Sequence, residues 1–136
     1  MHRQVMVRVN APVDEGVADL VSALSSIDGV ETLESCQGEA GERSAFVVFR
    51  FGDWRRCGNL LFDHLVPAMH PDLRSEVSVR LEAHDTESAR AWIELDPGAI
   101  GQMSACVRRL AASVRQCVAM ASDTHGDAVA KSVGAT

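Results

Sequence analysis

The chain has 136 residues, of which 46% are hydrophobic and 24% charged, and its formal net charge is -6. This length and composition predict one globular domain with its own core. The negative charge excludes a general affinity for nucleic acid, because such binding rests on neutralised phosphates. No apolar run approaches about 18 residues and no apolar leader follows Met1, so we expect no membrane contact and a cytoplasmic location.

The first half of the chain alternates between strand and helix patterns. Residues 4–10 alternate in polarity, which predicts a half-buried strand. Apolar residues at three- and four-residue steps predict a helix over 13–28, which Gly29 ends. Two further strands are predicted over 30–35 and 44–51, with a polar loop between them.

The second half continues with the same kinds of element. A helix is predicted over 54–69, capped by Asp53 and ended by prolines. Alternating patterns then predict strands over 76–83 and 89–95, joined by a loop of hairpin length. The last predicted helix begins at an Asp-Pro pair and runs over about 97–122.

This element order predicts an α+β fold. The first six elements have the βαββαβ order of ferredoxin-like folds. We therefore expect a mostly antiparallel five-stranded sheet with both early helices on one face, an added hairpin strand and a long C-terminal helix. Residues 1–122 then form a single domain, and residues 123–136 are expected to be a disordered tail.

An apolar seam runs along the final helix. Its residues recur at steps of three and four, as in helices that pack on one another. The seam consists of Ile100, Met103, Val107, Leu110, Val114, Cys117 and Ala121. Because about 25 helical residues exceed what a small domain needs, we expect part of the seam to form a homodimer interface. The alternative is that the seam is the core face of an ordinary packed helix.

The sheet face that points away from the early helices is a second candidate interface. We expect it to combine apolar, aromatic and arginine side chains, a composition typical of protein interfaces. Its predicted members are Met6, Arg8, Phe46, Val48, Arg50, Arg80, Trp92 and Glu94. The alternative is that the last helix, from this chain or from a dimer mate, covers the apolar part.

The loop after the second strand carries the best candidate ligand site, in the segment Ser-Cys-Gln-Gly at 35–38. Backbone N–H groups of such a turn can hold an anion or stabilise an oxyanion. We predict ligand contacts from Ser35, Cys36 and Gly38, with Arg50 as a basic neighbour. A catalytic Cys36 would also need a base or a cation beside it. The candidates are Arg50, His64 and His70, but no spacing ties them to Cys36. The alternative is a free loop cysteine next to a glycine that reverses the chain.

Metal binding is not predicted, and no cofactor is expected. The cysteines contain no C-x-x-C pair and the five histidines form no ligand motif, whereas a structural zinc site needs closely spaced ligands. Cys57, Cys106 and Cys117 fall in helical patterns, so we expect them to be more buried than Cys36.

Two stretches resemble known families. The first, from Ala23 to Glu31, resembles the helix-to-strand joint of ferredoxin-like modules such as the heavy-metal-associated and ACT domains, over about the first 50 residues. The resemblance implies the βαββαβ fold. It does not imply metal transport, because Asn-Ala-Pro-Val-Asp at 10–14 stands where the heavy-metal family has paired cysteines.

The second stretch, Thr-Leu-Glu-Ser-Cys-Gln-Gly at 32–38, resembles a T-x-x-S-C-x-G segment that many small bacterial and phage proteins carry. A similar S-C-x-G occurs in the methyltransferase of wybutosine tRNA modification, where a basic residue follows the glycine. Glu39 stands at that place here, so the resemblance does not extend to tRNA binding. The matching positions are Ser35, Cys36 and Gly38.

Three functional hypotheses remain open. The one that the sequence favours is a non-enzymatic, dimeric module that binds a small ligand or a protein partner, which predicts a pocket at a sheet edge or dimer seam. The second is an enzyme centred on Cys36, which predicts a cleft with a basic group beside the thiol. The third is a structural or interaction protein of a mobile element, which predicts neither feature.

Overall fold

The structure, a computed structural model, describes residues 4–6, 12–83 and 88–113. Its strands are β1 (Gln4–Met6), β2 (Pro12–Asp14), β3 (Val30–Cys36), β4 (Ala45–Phe51), β5 (Val77–Ala83) and β6 (Ala89–Leu95). The strand patterns predicted over 30–35, 44–51, 76–83 and 89–95 therefore correspond to β3, β4, β5 and β6 of the structure.

The described residues also form four helices. Helix α1 (Ala18–Ser25) follows a 3-10 turn at Glu15–Val17. Helix α2 starts at Trp54–Gly58, widens into a π-helix at Asn59–Leu65 and ends at Val66–Ala68. Helix α3 is the short segment Pro71–Arg74, and helix α4 spans residues 100–113 after a 3-10 turn at Pro97–Ala99. No described helix combines the length and apolar character needed to cross a bilayer.

The main sheet has four described strands in the order β3-β4-β6-β5, and each neighbouring pair is antiparallel. The chain passes twice through the order α-β-β, first as α1-β3-β4 and then as α2-β5-β6. The second strands of the two hairpins, β4 and β6, meet at the centre of the sheet. The predicted α+β class with an antiparallel sheet is confirmed.

The predicted ferredoxin-like strand order is not confirmed, because that order places the first strand of the chain beside β4. Here the two neighbours of β4 are β3 and β6, and β1 pairs with β2 outside the main sheet. The burial of the two strands reflects this order. Ala91 and Ile93 on the central strand β6 are 0% exposed, whereas Val79 on the edge strand β5 is only half-buried.

Helices α1, α2 and α4 pack on one face of the main sheet and share a single core with it. The core residues of the sheet are Ala45, Val47, Phe49, Ala91, Ile93 and Leu95, and those of the helices include Leu20, Leu24, Leu61, Leu65, Met103 and Val107. We call this the helix face. Burying each large apolar side chain stabilises the fold by about 1.5–3 kcal/mol, so this face supplies most of the stability.

The sequence also explains the local course of α2. Asp53 caps the helix as predicted, with the Arg56 N–H donating to its Oδ1 at 2.9 Å. Pro67 has no N–H to donate, and it follows directly on the π-helical turn that ends at Leu65. The helix then stops after Ala68, and Pro71 opens α3.

Several predictions fall outside the described residues. They are the extension of the last helix over 114–122, the disordered tail over 123–136, the hairpin loop over 84–87 and the position of Arg8. The described part of the last helix, residues 100–113, is helical as predicted.

Candidate functional site

The predicted Ser-Cys-Gln-Gly loop is a loop only from Gln37 onward, because Ser35 and Cys36 form the end of β3 and pair with β4. Gln37 connects this turn to the start of the first helical segment. The Gly16 N–H donates to Gln37 Oε1 at 2.8 Å, and the Gln37 N–H donates to Asp14 Oδ2 at 3.3 Å. Asp14 is 8% exposed, one of the few buried charged groups in the described chain. Gln37 therefore connects the loop to the helix entry, 21 residues away in sequence, and this is a structural role.

Gly38 has a backbone conformation that only glycine adopts readily. Its φ is +66°, and a Cβ there would lie 2.5 Å from the carbonyl oxygen of Arg43 and 2.6 Å from the backbone of Ser44. Beyond it, Glu39 and Arg43 exchange backbone hydrogen bonds at 2.9 and 2.8 Å. The N–H groups of Gln37 and Glu39 thus already have acceptors within the chain, which leaves them unable to cradle an anion.

The predicted site residues do not converge. Ser35 pairs with Val47 and Cys36 with Phe46, so their side chains point to opposite faces of the sheet. Arg50 lies four residues beyond Phe46 on β4, about 13 Å along the strand. The Arg50 guanidinium pairs instead with Glu31 Oε2 at 3.0 Å.

The cysteines follow the predicted order of exposure. Cys36 is partly exposed, whereas Cys57 and Cys106 are buried, and Cys117 lies outside the described residues. Burial raises the pKa of both the Cys57 and the Cys106 thiol. Among the described residues, no group of three histidine, cysteine or carboxylate side chains is placed to hold a metal ion.

The predicted interface seam lies largely inside the chain's own core. Ile100 is 7% exposed, and Met103 and Val107 are 0% exposed. Leu110 is half-buried against the same core, and Val114 lies outside the described residues together with the rest of the seam. For the described part, the packed-helix alternative accounts for the pattern.

The opposite side of the main sheet, which we call the open face, has a different composition. The strand register places one set of alternating residues there: Glu31, Glu34, Cys36, Phe46, Val48, Arg50, Ser78, Arg80, Glu82, Arg90, Trp92 and Glu94. The six predicted members from β4, β5 and β6 do share this face. Met6 instead belongs to the separate β1–β2 pair.

An aromatic patch lies at the centre of the open face and consists of Phe46, Val48, Arg80 and Trp92. The rings of Phe46 and Trp92 are 5.6 Å apart between centroids, tilted by 36°. The Arg80 guanidinium carbon lies 4.3 Å from the centroid of the Trp92 ring. Val48 is 0% exposed, while both rings keep part of their surface accessible. The buried Trp92 Nε1 has no hydrogen-bond partner within the described residues.

Charged side chains of both signs surround the aromatic patch. Glu31 pairs with Arg50 at 3.0 Å, and Glu82 lies 3.5 Å from Arg80. The four paired side chains are between 45% and 63% exposed, so these pairs are screened by water and stabilise little. Their main effect is to cancel the local positive charge.

Sequence reasoning missed two of these contacts. The stacking of Arg80 on Trp92 follows from the β5–β6 register, in which Ala83 faces Ala89 and Arg80 faces Trp92. Pairing the strands around the centre of the predicted loop over 84–87 would have placed Arg80 opposite Ala91, a slip of one residue that exchanges the two faces. The contact between Gln37 and Gly16 has no local signal, because it joins residues far apart in the chain.

Two clefts among the described residues contain none of the predicted site residues. One, of about 210 Å³, lies between α1 and α4 and is lined by Ser22, Ser25, Ser26 and Arg108. The other, of about 280 Å³, lies between α3 and α4 and is lined by His70, Asp72, Leu73, Gln102, Ala105 and Arg109. In the first, Arg108 is already paired with Asp19.

Comparisons with protein-family models, with curated proteins and with solved structures give no match. The functional assignment therefore rests on the geometry of the open face and of the Cys36 loop.

Proposed function

We propose that the protein is a non-enzymatic binding module whose open face receives a protein partner at the aromatic patch. The observation that carries this proposal is the environment of Trp92, which stacks with Arg80 at 4.3 Å and neighbours Phe46 at 5.6 Å. Tryptophan and arginine dominate the binding energy of many protein interfaces. Helices α1, α2 and α4 all pack on the other face, so these side chains are not needed by the described core.

The charges of the open face favour a protein over a nucleic acid. Proteins that stack bases on aromatic side chains line the same groove with positive charge. Here Arg50 and Arg80 each face a carboxylate, and the four glutamates of this face outnumber its three arginines, so the open face has no excess of positive charge. A partner that inserts an apolar side chain beside Trp92 and meets both signs of charge at the rim fits this surface.

The enzyme hypothesis has less support. A nucleophilic thiol needs a base or cation beside it and donors for the developing oxyanion. The Gln37 and Glu39 N–H groups donate to acceptors within the chain, and Arg50 lies about 13 Å along the strand, paired with Glu31. The free thiols of Cys36, Cys57 and Cys106 fit the cytoplasmic location that we propose for the module.

Selection of peptides from a random displayed library tests the proposal. We expect peptides enriched on the immobilised protein to contain an apolar or aromatic anchor. We also expect their affinity to fall by at least about tenfold on the Trp92→Ala variant, as for a hot-spot side chain. Fluorescence anisotropy with labelled synthetic peptides gives the dissociation constants.

Trp54→Ala is the matched control. Trp54 is 41% exposed and also has an arginine over its ring, with Arg55 at 5.3 Å, but it lies on α2, away from the open face. Peptide affinity should be unchanged in this variant. Equal losses in both variants, or no enrichment at all, would contradict the proposal. Binding of single-stranded oligonucleotides that depends on Trp92 would replace the protein partner with a nucleic acid.

A further inference from the structure

The two edges of the main sheet differ in how well they are protected against pairing with another strand. The β3 edge is interrupted by a bulge between Thr32 and Glu34 and carries two exposed carboxylates, Glu31 and Glu34. Bulges and charges are common devices that block edge-to-edge association. Strand β2 also lies next to β3, where Asp14 accepts a hydrogen bond from Gln37.

The β5 edge has two exposed charges, Arg80 and Glu82, but no bulge interrupts it and no described strand lies beside it. Its seven residues pair with β6 in unbroken register, from Val77 opposite Leu95 to Ala83 opposite Ala89. It contains no proline, and no other described strand pairs with its outer side. Within the described residues, the outer backbone donors and acceptors of this regular edge have no strand partner, and such an edge can pair with a further strand.

The inward side chains of β5 are incompletely buried. Val77, Val79 and Leu81 are all half-buried, although they pack against the core. Their neighbours on β6 are at most 2% exposed. An added strand beyond β5 would cover this remaining apolar surface on the helix face.

The charged side chains of β5 on the open face indicate which strand can pair with its outer edge. Arg80 and Glu82 lie two residues apart and alternate on the same face. An antiparallel pair of two β5 strands centred on Leu81 joins residues 79–83 of the two copies and places Arg80 of each directly opposite Glu82 of the other. A pair centred on Arg80 would place the two arginines opposite each other. Because opposite charges at facing positions stabilise a strand pair and like charges destabilise it, the charges favour the register centred on Leu81, in which the strand is complementary to a second copy of itself.

We infer that two copies of this chain associate through β5 and form one continuous eight-stranded antiparallel sheet. The two-fold axis passes between the two Leu81 residues and is perpendicular to the sheet, so both open faces lie on the same side. The two aromatic patches then form one extended surface, while all helices lie on the other side. This inference does not depend on the proposed function, because it concerns only the sheet edge.

Charge reversal in pairs tests the inference. Sedimentation velocity of the full chain at micromolar concentration should give twice the monomer mass of 14.6 kDa. Glu82→Arg places two arginines opposite each other at each facing position, and Arg80→Glu places two glutamates there. Each single variant should weaken the dimer by at least about tenfold. A one-to-one mixture of the two variants should restore it, because the facing charges are again opposite.

Glu31→Arg serves as the control, because Glu31 has a comparable exposed ion pair with Arg50 at the other end of the sheet. It should leave the dimer unchanged. Far-UV circular dichroism verifies that each variant is folded. A monomeric native chain, a dimer insensitive to Glu82→Arg, or a mixture of folded variants that stays monomeric would each overturn the inference. Loss of peptide binding in Trp92→Ala with an intact dimer would leave it standing.

Discussion

Phe46 and Phe49 lie three residues apart on β4, yet Phe49 is 0% exposed beneath the helices while Phe46 keeps part of its ring accessible. The same division runs through the whole sheet. On β6, the helix face has only Ala89, Ala91, Ile93 and Leu95, whereas the open face has Trp92 between two exposed charges. The helix face consists of side chains that stabilise one packed state, and the open face of side chains suited to contacts with other molecules.

Stability and recognition therefore depend on alternate residues of the same strands. Because successive side chains point to opposite faces, one strand can serve both roles without compromise. Substitutions on the two faces should therefore have separable effects. Those on the helix face should unfold the protein, and those on the open face should alter binding with little loss of stability.

The largest expected difference in stability is between the Phe49→Ala and Phe46→Ala variants. Removing the buried Phe49 ring leaves a cavity and should lower the free energy of unfolding by about 3–5 kcal/mol. Removing the Phe46 ring loses mainly its contact with Trp92, so we expect a loss of about 1 kcal/mol. Urea unfolding followed by circular dichroism measures both values. Similar losses would mean that the open face is a second core rather than a binding surface.

A second prediction concerns the turn that holds the β3–β4 register, since a one-residue slip would exchange the two faces of β3. Gly38→Ala should lower the free energy of unfolding by about 2 kcal/mol or more, because φ is +66° and the new Cβ overlaps the backbone of Arg43 and Ser44. Gly41→Ala is the matched control. Its φ is +77° but its surroundings are open, so we expect a loss of about 1 kcal/mol.

Thermal unfolding by differential scanning calorimetry compares the two glycine variants directly. If Gly41→Ala destabilises the protein as much as Gly38→Ala, backbone strain alone explains both losses. The close approach to Arg43 would then have no role in the register.

The sequence predicts which residues share a face better than it predicts which strands are neighbours. Alternation in β4, β5 and β6 correctly groups Phe46 with Trp92 and Arg80, because the period of two is a local property. The neighbours of a strand depend on competition between distant segments. The strand pattern at 4–10 and the one at 89–95 both alternate, and only the packed structure assigns β6 to the place beside β4.

The candidate sites show the same limit. The heptad pattern correctly indicates a packed face on the last helix, but it does not distinguish the chain's own sheet from a second subunit, and Met103 and Val107 pack on the former. In the Cys36 loop, composition indicates a turn with free donors. The distant partner Asp14 accepts the Gln37 donor, which no local pattern reveals.

Chemical labelling of the cysteines tests the division between the helix face and the open face with the least perturbation, because it requires no substitution. Cys36 lies on the open face and is partly exposed, while Cys57 and Cys106 belong to the helix layer and are at most 1% exposed. A reagent reaches a buried thiol only after local opening, and burial also raises the pKa of both thiols, which lowers their reactive thiolate fraction. We expect Cys36 to react with iodoacetamide at least about tenfold faster than either, which corresponds to an opening cost of about 1.4 kcal/mol or more.

Peptide mapping by mass spectrometry, on samples quenched at successive times, assigns the label to each cysteine. Labelling in denaturant is the control, because the three thiols should then react at similar rates. If Cys57 or Cys106 is modified first in the native protein, the helix layer opens more readily than the open face. The division of the sheet into a stable face and a binding face would then be wrong.

If Cys36 reacts first, adding an excess of a selected peptide tests the division again. A ligand centred on Trp92 and Phe46 should slow the labelling of Cys36, because Cys36 pairs directly with Phe46, and should leave Cys57 and Cys106 unchanged.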